Sequence, residues 1–300
     1  MKGIGYFYKP IKKRPELLFF FGLITFIYCF IEYNFIMPLA NVVTVLKTGN
    51  IFDSVMHFIQ LVLSNVTIIK PANIIFVLIG LIAVSLIAGL FLSGYLNVLN
   101  SSFIDSKRLK GSFGKGVRKH FVKISRITFA VILFSLLFVV FMLVVSVPSI
   151  VITNAAITDK PELMVVSMIL DFITVCIMFF SIMFFKIYML FWYPAALNSD
   201  KKFFARGKRA ADASFWSIVL RFLLFDIVVI LLQSVLFIIN SYLSKQEGGF
   251  YGALSVLILL FANWIVKTVL FSSIISYVFS KFITYKNKAN TAIESDVSAV

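Results

Sequence analysis

The sequence predicts an all-α, polytopic membrane protein with about six transmembrane helices plus one extracytoplasmic amphipathic helix. Three observations carry that prediction. Hydrophobic residues make up 61% of the 300 and charged residues 14%, against about half and about a quarter in an ordinary soluble domain. Mean hydropathy is +1.01. Apolar runs of about 20 residues or more, long enough to cross a bilayer's hydrocarbon layer, recur along the chain. A single water-soluble core cannot hide so much apolar surface, which excludes a soluble enzyme, a disordered chain and a disulfide scaffold.

The expected spans are Leu17–Leu46, Ala72–Asn100, Ile124–Thr153, Leu163–Tyr193, Phe215–Tyr242 and Tyr251–Phe282. Lys9, Lys12, Lys13 and Arg14 precede the first run as they would in a signal peptide. That run is too long for an h-region of roughly 7–15 residues and no small-x-small site closes it, so a retained first helix is expected. Pro15 and Pro71 fall where helices one and two should begin. Pro194 is expected to stop helix four, and Pro38 and Pro148 to kink helices one and three. Between the first two spans, Ile51, Phe52, Val55, Ile59, Val62, Leu63 and Val66 recur at helical spacing, opposite Asp53, His57, Gln60 and Ser64. This pattern predicts the amphipathic helix, at the outer interface or on the bundle. Residues 1–285 are expected to form the transmembrane domain, and the polar residues 286–300 a disordered cytoplasmic tail.

The formal charge of +15 is distributed unevenly. The N-terminus, Ser101–Arg126, Asn198–Arg209 and the C-terminal end together hold 21 Lys and Arg, and the opposite connections hold four. The positive-inside rule then places both termini in the cytoplasm of a multi-pass cell-membrane protein. Because topology accounts for the charge, nucleic acid is not an expected partner. Anionic headgroups at the basic loops are expected partners, together with a membrane or cytosolic protein. A short helix within Ala205–Ser214 is a candidate docking element for such a protein.

Charge inside the spans is the strongest pointer to function, since each such group costs several kcal/mol unless paired or hydrated. Counting about 1.5 Å per residue from the basic ends, Glu32, Asp226 and Lys267 share the membrane midplane. They form either a structural triad or an ion-coupled site. Lys186 and Arg221 lie nearer the basic ends, at roughly 10 Å and 9 Å, and either snorkel to the interface or contact lipid phosphate. Asp171 falls at the outer headgroup level. Ser85, Gly89, Ser93 and Asn97 are spaced by four and form a small, polar stripe suited to close helix packing.

Several chemistries lack their residues. Cys29 and Cys176 lie in separate apolar runs, and His57 and His120 are the only histidines, so no metal site and no cofactor is expected. Lys110–His120 misses the phosphate-loop pattern, with Leu109 at the first glycine position and Gly116 after Lys115. It reads instead as a flexible basic connection. No His-Glu-x-x-His or Gly-x-Ser-x-Gly occurs, and no enzymatic activity is expected. The two basic connections echo each other. Asp105-x-Lys107, Gly114-Lys115, Phe121, Ile124 and Arg126 parallel Asp200-x-Lys202, Gly207-Lys208, Phe215, Ile218 and Arg221, which raises the possibility of a duplicated hairpin.

In its long Phe/Ile/Leu-rich helices and its basic, Gly-containing loops Ser101–Arg126 and Asn198–Ser214, the chain resembles bacterial six-helix membrane proteins of unknown function. Among these is the membrane domain associated with glycerophosphodiester phosphodiesterases. The resemblance implies a membrane fold, and the sequence holds no phosphodiesterase domain. The expectation is a non-enzymatic accessory subunit or lipid-interacting scaffold. The alternative is a small transporter or permease component using Glu32, Asp226 and Lys267.

Overall fold

A computed structural model of the chain describes residues 12–31, 71–104, 111–158, 160–199, 202–243 and 250–298. These residues are almost all helical, without a strand among them: α1 (Glu16–Ile31), α2 (Pro71–Ile104), α3 (Ser112–Thr158), α4 (Met164–Asn198), α5 (Phe203–Asp212), α6 (Phe215–Leu243) and α7 (Phe250–Ser298). Five of them, α2, α3, α4, α6 and α7, contain segments long and apolar enough to cross a membrane. The described part of α1 is apolar but shorter. The rest of the expected first span and the expected amphipathic helix lie outside the described residues.

The helix ends have local causes. Pro71 opens α2, where its missing N–H would have no partner in any case. Gly111, at φ +74°, precedes α3 in a conformation that suits a residue without Cβ. Beyond α3, a 3-10 turn at Pro161–Leu163 leads into α4. Lys202 takes the left-handed conformation, φ +55°, just before α5. α5 closes through Ala213 N–H to the Arg209 carbonyl, 3.1 Å, and Ser214 N–H to the Ala211 carbonyl, 3.2 Å, before α6 restarts at Phe215.

Three expectations are corrected. The Lys110–His120 segment is helical from Ser112 onward rather than a flexible connection, and its His120 is buried. Pro194 lies inside α4, which continues to Asn198. Its one missing hydrogen bond is outweighed by packing, since Ala195 and Ala196 are completely buried. Residues 286–298 continue α7 as helix rather than a disordered tail. Polar composition weakens the case for packing, but a helix already nucleated is extended at little cost.

The chain divides into two compact units, and the border runs through α2, α3 and α4. The first unit, residues 1–30, 88–127 and 186–300, holds a core in which Leu99, Ile124, Phe191, Ile218 and Phe222 are fully buried. The second, residues 31–87 and 128–185, turns large apolar side chains outward: Phe76 is 71% exposed and Phe172 70%. Such surface is stable against lipid tails and not against water.

Candidate functional site

Among the described residues, charge within the apolar helices is handled at four places. On α4 and α6, Lys186 and Asp226 form an ion pair, with side chains 27% and 30% exposed. Lys186 also lies 5.3 Å from the centre of the Phe222 ring. Phe222 is one turn before Asp226, so a single face of α6 receives both the stem and the charge of the lysine.

On α7, Lys267 is only 3% exposed, and its ammonium lies 5.3 Å from the Tyr28 ring of α1. It sits in a polar seam between these helices. Trp264 Nε1–H donates to the Gly22 carbonyl at 2.7 Å, and the Thr25 and Thr268 hydroxyls lie 2.5 Å apart. Hydrogen bonds of this kind hold helices together where no hydrophobic drive acts between them.

In the second unit, the Asp171 carboxylate accepts hydrogen bonds from Ser149 and Thr153, the latter at 3.0 Å. The two hydroxyls are one turn apart on α3 and converge on α4. Sequence reading left Asp171 at the headgroups without a role, though a Ser/Thr pair at i, i+4 on a neighbouring helix was a legible signal.

The fourth place is the start of α6. The Arg221 guanidinium lies 5.0 Å and the Lys281 ammonium 5.8 Å from the centre of the Tyr277 ring. Lys281 Nζ also lies 3.5 Å from Ser217 Oγ. Ser217, Tyr277 and Lys281 were missed in the sequence. The signal was a hydroxyl and a cation one turn apart on each of two helices, Ser217/Arg221 and Tyr277/Lys281.

The structure therefore regroups the expected residues. Asp226 is joined to Lys186, the residue expected at lipid phosphate, and not to Lys267. Arg221 stands with Lys281 and not with Lys186. Glu32 lies outside the described residues. Depth along a helix cannot tell which face a side chain takes, and face is what separates Asp226 from Lys267.

The small, polar stripe of α2 meets α3. A Cβ on Gly89 would lie 2.8 Å from Ser125 Cα, and one on Gly116 would lie 2.5 Å from Asn97 Cβ and 2.9 Å from the Ser93 carbonyl oxygen. Asn97 Nδ2–H donates to the Ser112 carbonyl at 2.8 Å, and Ser85 and Ser93 are buried.

The second basic connection repeats part of this contact. A Cβ on Gly207 would lie 3.1 Å from the Phe191 carbonyl oxygen. Gly116 is thus the counterpart of Gly207, while Gly114, the residue matched in the sequence echo, faces open space. The register becomes Phe113-x-Lys115-Gly116-x-Arg118 with Phe204-x-Arg206-Gly207-x-Arg209. The preceding helices match as Tyr95-x-x-x-Leu99-Asn100-Ser101 and Tyr193-x-x-x-Leu197-Asn198-Ser199. Their ends meet where Asn198 Nδ2–H donates to Asn100 Oδ1 at 3.1 Å. Basic side chains gather there: Arg14 donates to Ser101 Oγ at 3.1 Å and Lys286 to Asn198 Oδ1 at 3.2 Å. Cations suit the C-terminal ends of helices, where carbonyls lack partners.

No family model matches the chain, no curated protein matches it, and no solved structure matches its fold. What the fold defines is a class, that of all-α chains with several helices apolar enough to cross a membrane.

Proposed function

We propose that the chain is a non-enzymatic, multi-pass protein of the cell membrane, acting as an accessory subunit or lipid-interacting scaffold with both termini in the cytoplasm. The fate of its intramembrane charge supports this reading. Lys186 and Asp226 neutralise each other between α4 and α6, and Asp171 is held by two hydroxyls of α3. Groups that are costly in a bilayer serve here as ties between helices, which is what a structural membrane component requires. The basic ends supply contacts to anionic headgroups. α5 adds a docking element: its Gly207, Ala210 and Ala211 are buried, while Phe204, Arg206 and Lys208 are exposed. Gentle solubilisation followed by native mass spectrometry tests the proposal. The expected result is recovery with a protein partner or retained lipid, and reproducible recovery as a bare chain overturns it.

One observation favours a second reading, a small transporter or permease component. Lys267 is buried in an apolar helix beside Tyr28, and Glu32 follows Tyr28 by four positions in the sequence. On this reading Glu32→Gln abolishes ion flux into proteoliposomes while the protein stays folded. A Glu32→Gln/Lys267→Met double variant that folds and conducts like the parent eliminates it.

A further inference from the structure

The group at the start of α6 has a composition that helix packing does not require. Two helices each present a hydroxyl and a cation one turn apart: Ser217 and Arg221 from α6, Tyr277 and Lys281 from α7. Both cations lie over the same ring, Arg221 at 5.0 Å and Lys281 at 5.8 Å from its centre. Like charges so placed repel. Among the described residues neither has a carboxylate within 4.0 Å. The acidic groups on neighbouring turns are engaged elsewhere: Asp226 is paired with Lys186, and Asp212 accepts from the Tyr188 hydroxyl at 2.5 Å. The Tyr277 side chain is 4% exposed. Its hydroxyl is buried beside Ser217, yet it has no partner in hydrogen-bonding geometry among the described residues. A buried hydroxyl whose neighbour, Ser217, falls short of good hydrogen-bonding geometry is costly, and two cations over one ring without a carboxylate add to that cost. Both are relieved by one anion that accepts several hydrogen bonds.

We infer that Ser217, Arg221, Tyr277 and Lys281 form a clamp for a phosphate group. Phosphate presents several acceptor oxygens, takes two parallel hydrogen bonds from a guanidinium and a further one from an ammonium, and leaves acceptors for the two hydroxyls. Two cations without a carboxylate match the two charges of a phosphomonoester better than the single charge of a diester. The level also fits. Arg221 lies six residues into α6, about 9 Å along it. Trp216, 71% exposed at its first turn, marks the depth at which tryptophan meets headgroups. A lipid phosphomonoester is therefore the expected carrier, and a soluble phosphate is the other source of the same chemistry. The inference deepens the scaffold reading by naming the lipid chemistry it would recognise.

The test uses the full chain in nanodiscs and native mass spectrometry. Phosphatidic acid, phosphatidylglycerol and phosphatidylcholine compete for the protein, and inorganic phosphate is tried as a competitor in a separate arm. The wild type is expected to retain phosphatidic acid over phosphatidylcholine by about tenfold, the scale of one charge-assisted hydrogen-bonded contact. Arg221→Gln/Lys281→Gln should lose that preference, and Lys160→Gln, which removes an exposed charge just before the Pro161–Leu163 turn, should keep it. If the double variant does not fold, Tyr277→Phe decides, because it deletes only the buried hydroxyl and should weaken retention severalfold. Displacement of the lipid by inorganic phosphate supports the clamp with a free phosphate as ligand, and retention against it supports the lipid. A wild type with no preference, or a folded clamp variant with full preference, overturns the inference. In either of those cases a chain still carrying other lipids or a protein leaves the scaffold reading standing, whereas a bare chain defeats both.

Discussion

The α2–α3 hairpin and the segment from α4 to α6 begin alike and end differently. In both, a glycine of the basic connection packs on a carbonyl of the preceding helix, Gly116 on Ser93 and Gly207 on Phe191. In the first, the connection runs on as one helix from Ser112 to Thr158, and Gly89 brings α2 and α3 into backbone contact. In the second, the chain breaks at Ala213 and Ser214, and α5 and α6 are separate helices. No glycine of α4–α6 makes an approach as close as that of Gly89. The ties that use a charged group are there instead: Lys186 to Asp226 and Tyr188 to Asp212. Close packing and charged ties are alternative ways of holding helices in lipid. This chain uses the first where the connection is continuous and the second where it is broken.

That contrast can be broken by substitution. The largest effect is expected from Gly89→Ala, because the added carbon would lie 2.1 Å from Ser125 Oγ and 2.8 Å from Ser125 Cα. Backbone cannot yield as a side-chain tip can, so a loss of about 3 kcal/mol is expected, at the upper end of overpacking costs. Thermal unfolding in detergent measures it, and a neutral result would mean that α2 and α3 are not in backbone contact.

Asp226→Asn comes next. It leaves Lys186 without its partner, and at this partial exposure about 1 kcal/mol is expected. The Lys186→Met/Asp226→Asn double variant should be less destabilised than the two single losses combined. Simple additivity in that cycle would show that the pair ties nothing. The smallest effects belong to Gly207 and Gly114. Gly207→Ala needs a shift of only tenths of an ångström from Phe191 and should cost under about 1 kcal/mol. Gly114→Ala, into open space within a helix, should stabilise by up to about 1 kcal/mol. Reversal of these two signs would return the echo to the Gly114 register.

Much of the fold was legible because the bilayer imposes it. A span must be long, apolar and helical, so Ala72–Asn100 and Phe215–Tyr242 could be located within a few residues of α2 and α6. The break between α5 and α6 could be read only loosely from Ala205–Ser214. The continuity of α3 through Lys115 and Arg118 could not be read, since charge and glycine both signal a loop and packing against α2 overrides them. Pro194 misled for the same reason.

By itself the sequence determined the class of protein, the positions of α2 and α6 to within a few residues, and the stripe Ser85, Gly89, Ser93 and Asn97, all of which follow from hydrophobicity and the 3.6-residue period. Tertiary structure alone decided which charges meet. Lys186, Arg221, Asp226, Lys267 and Lys281 all lie on apolar helices, and their order and depth allow many pairings. Helix rotation and neighbour choice select Lys186 with Asp226 and Arg221 with Lys281. Neither is encoded locally, because a side chain's partner across a helix interface depends on the packing of the whole bundle.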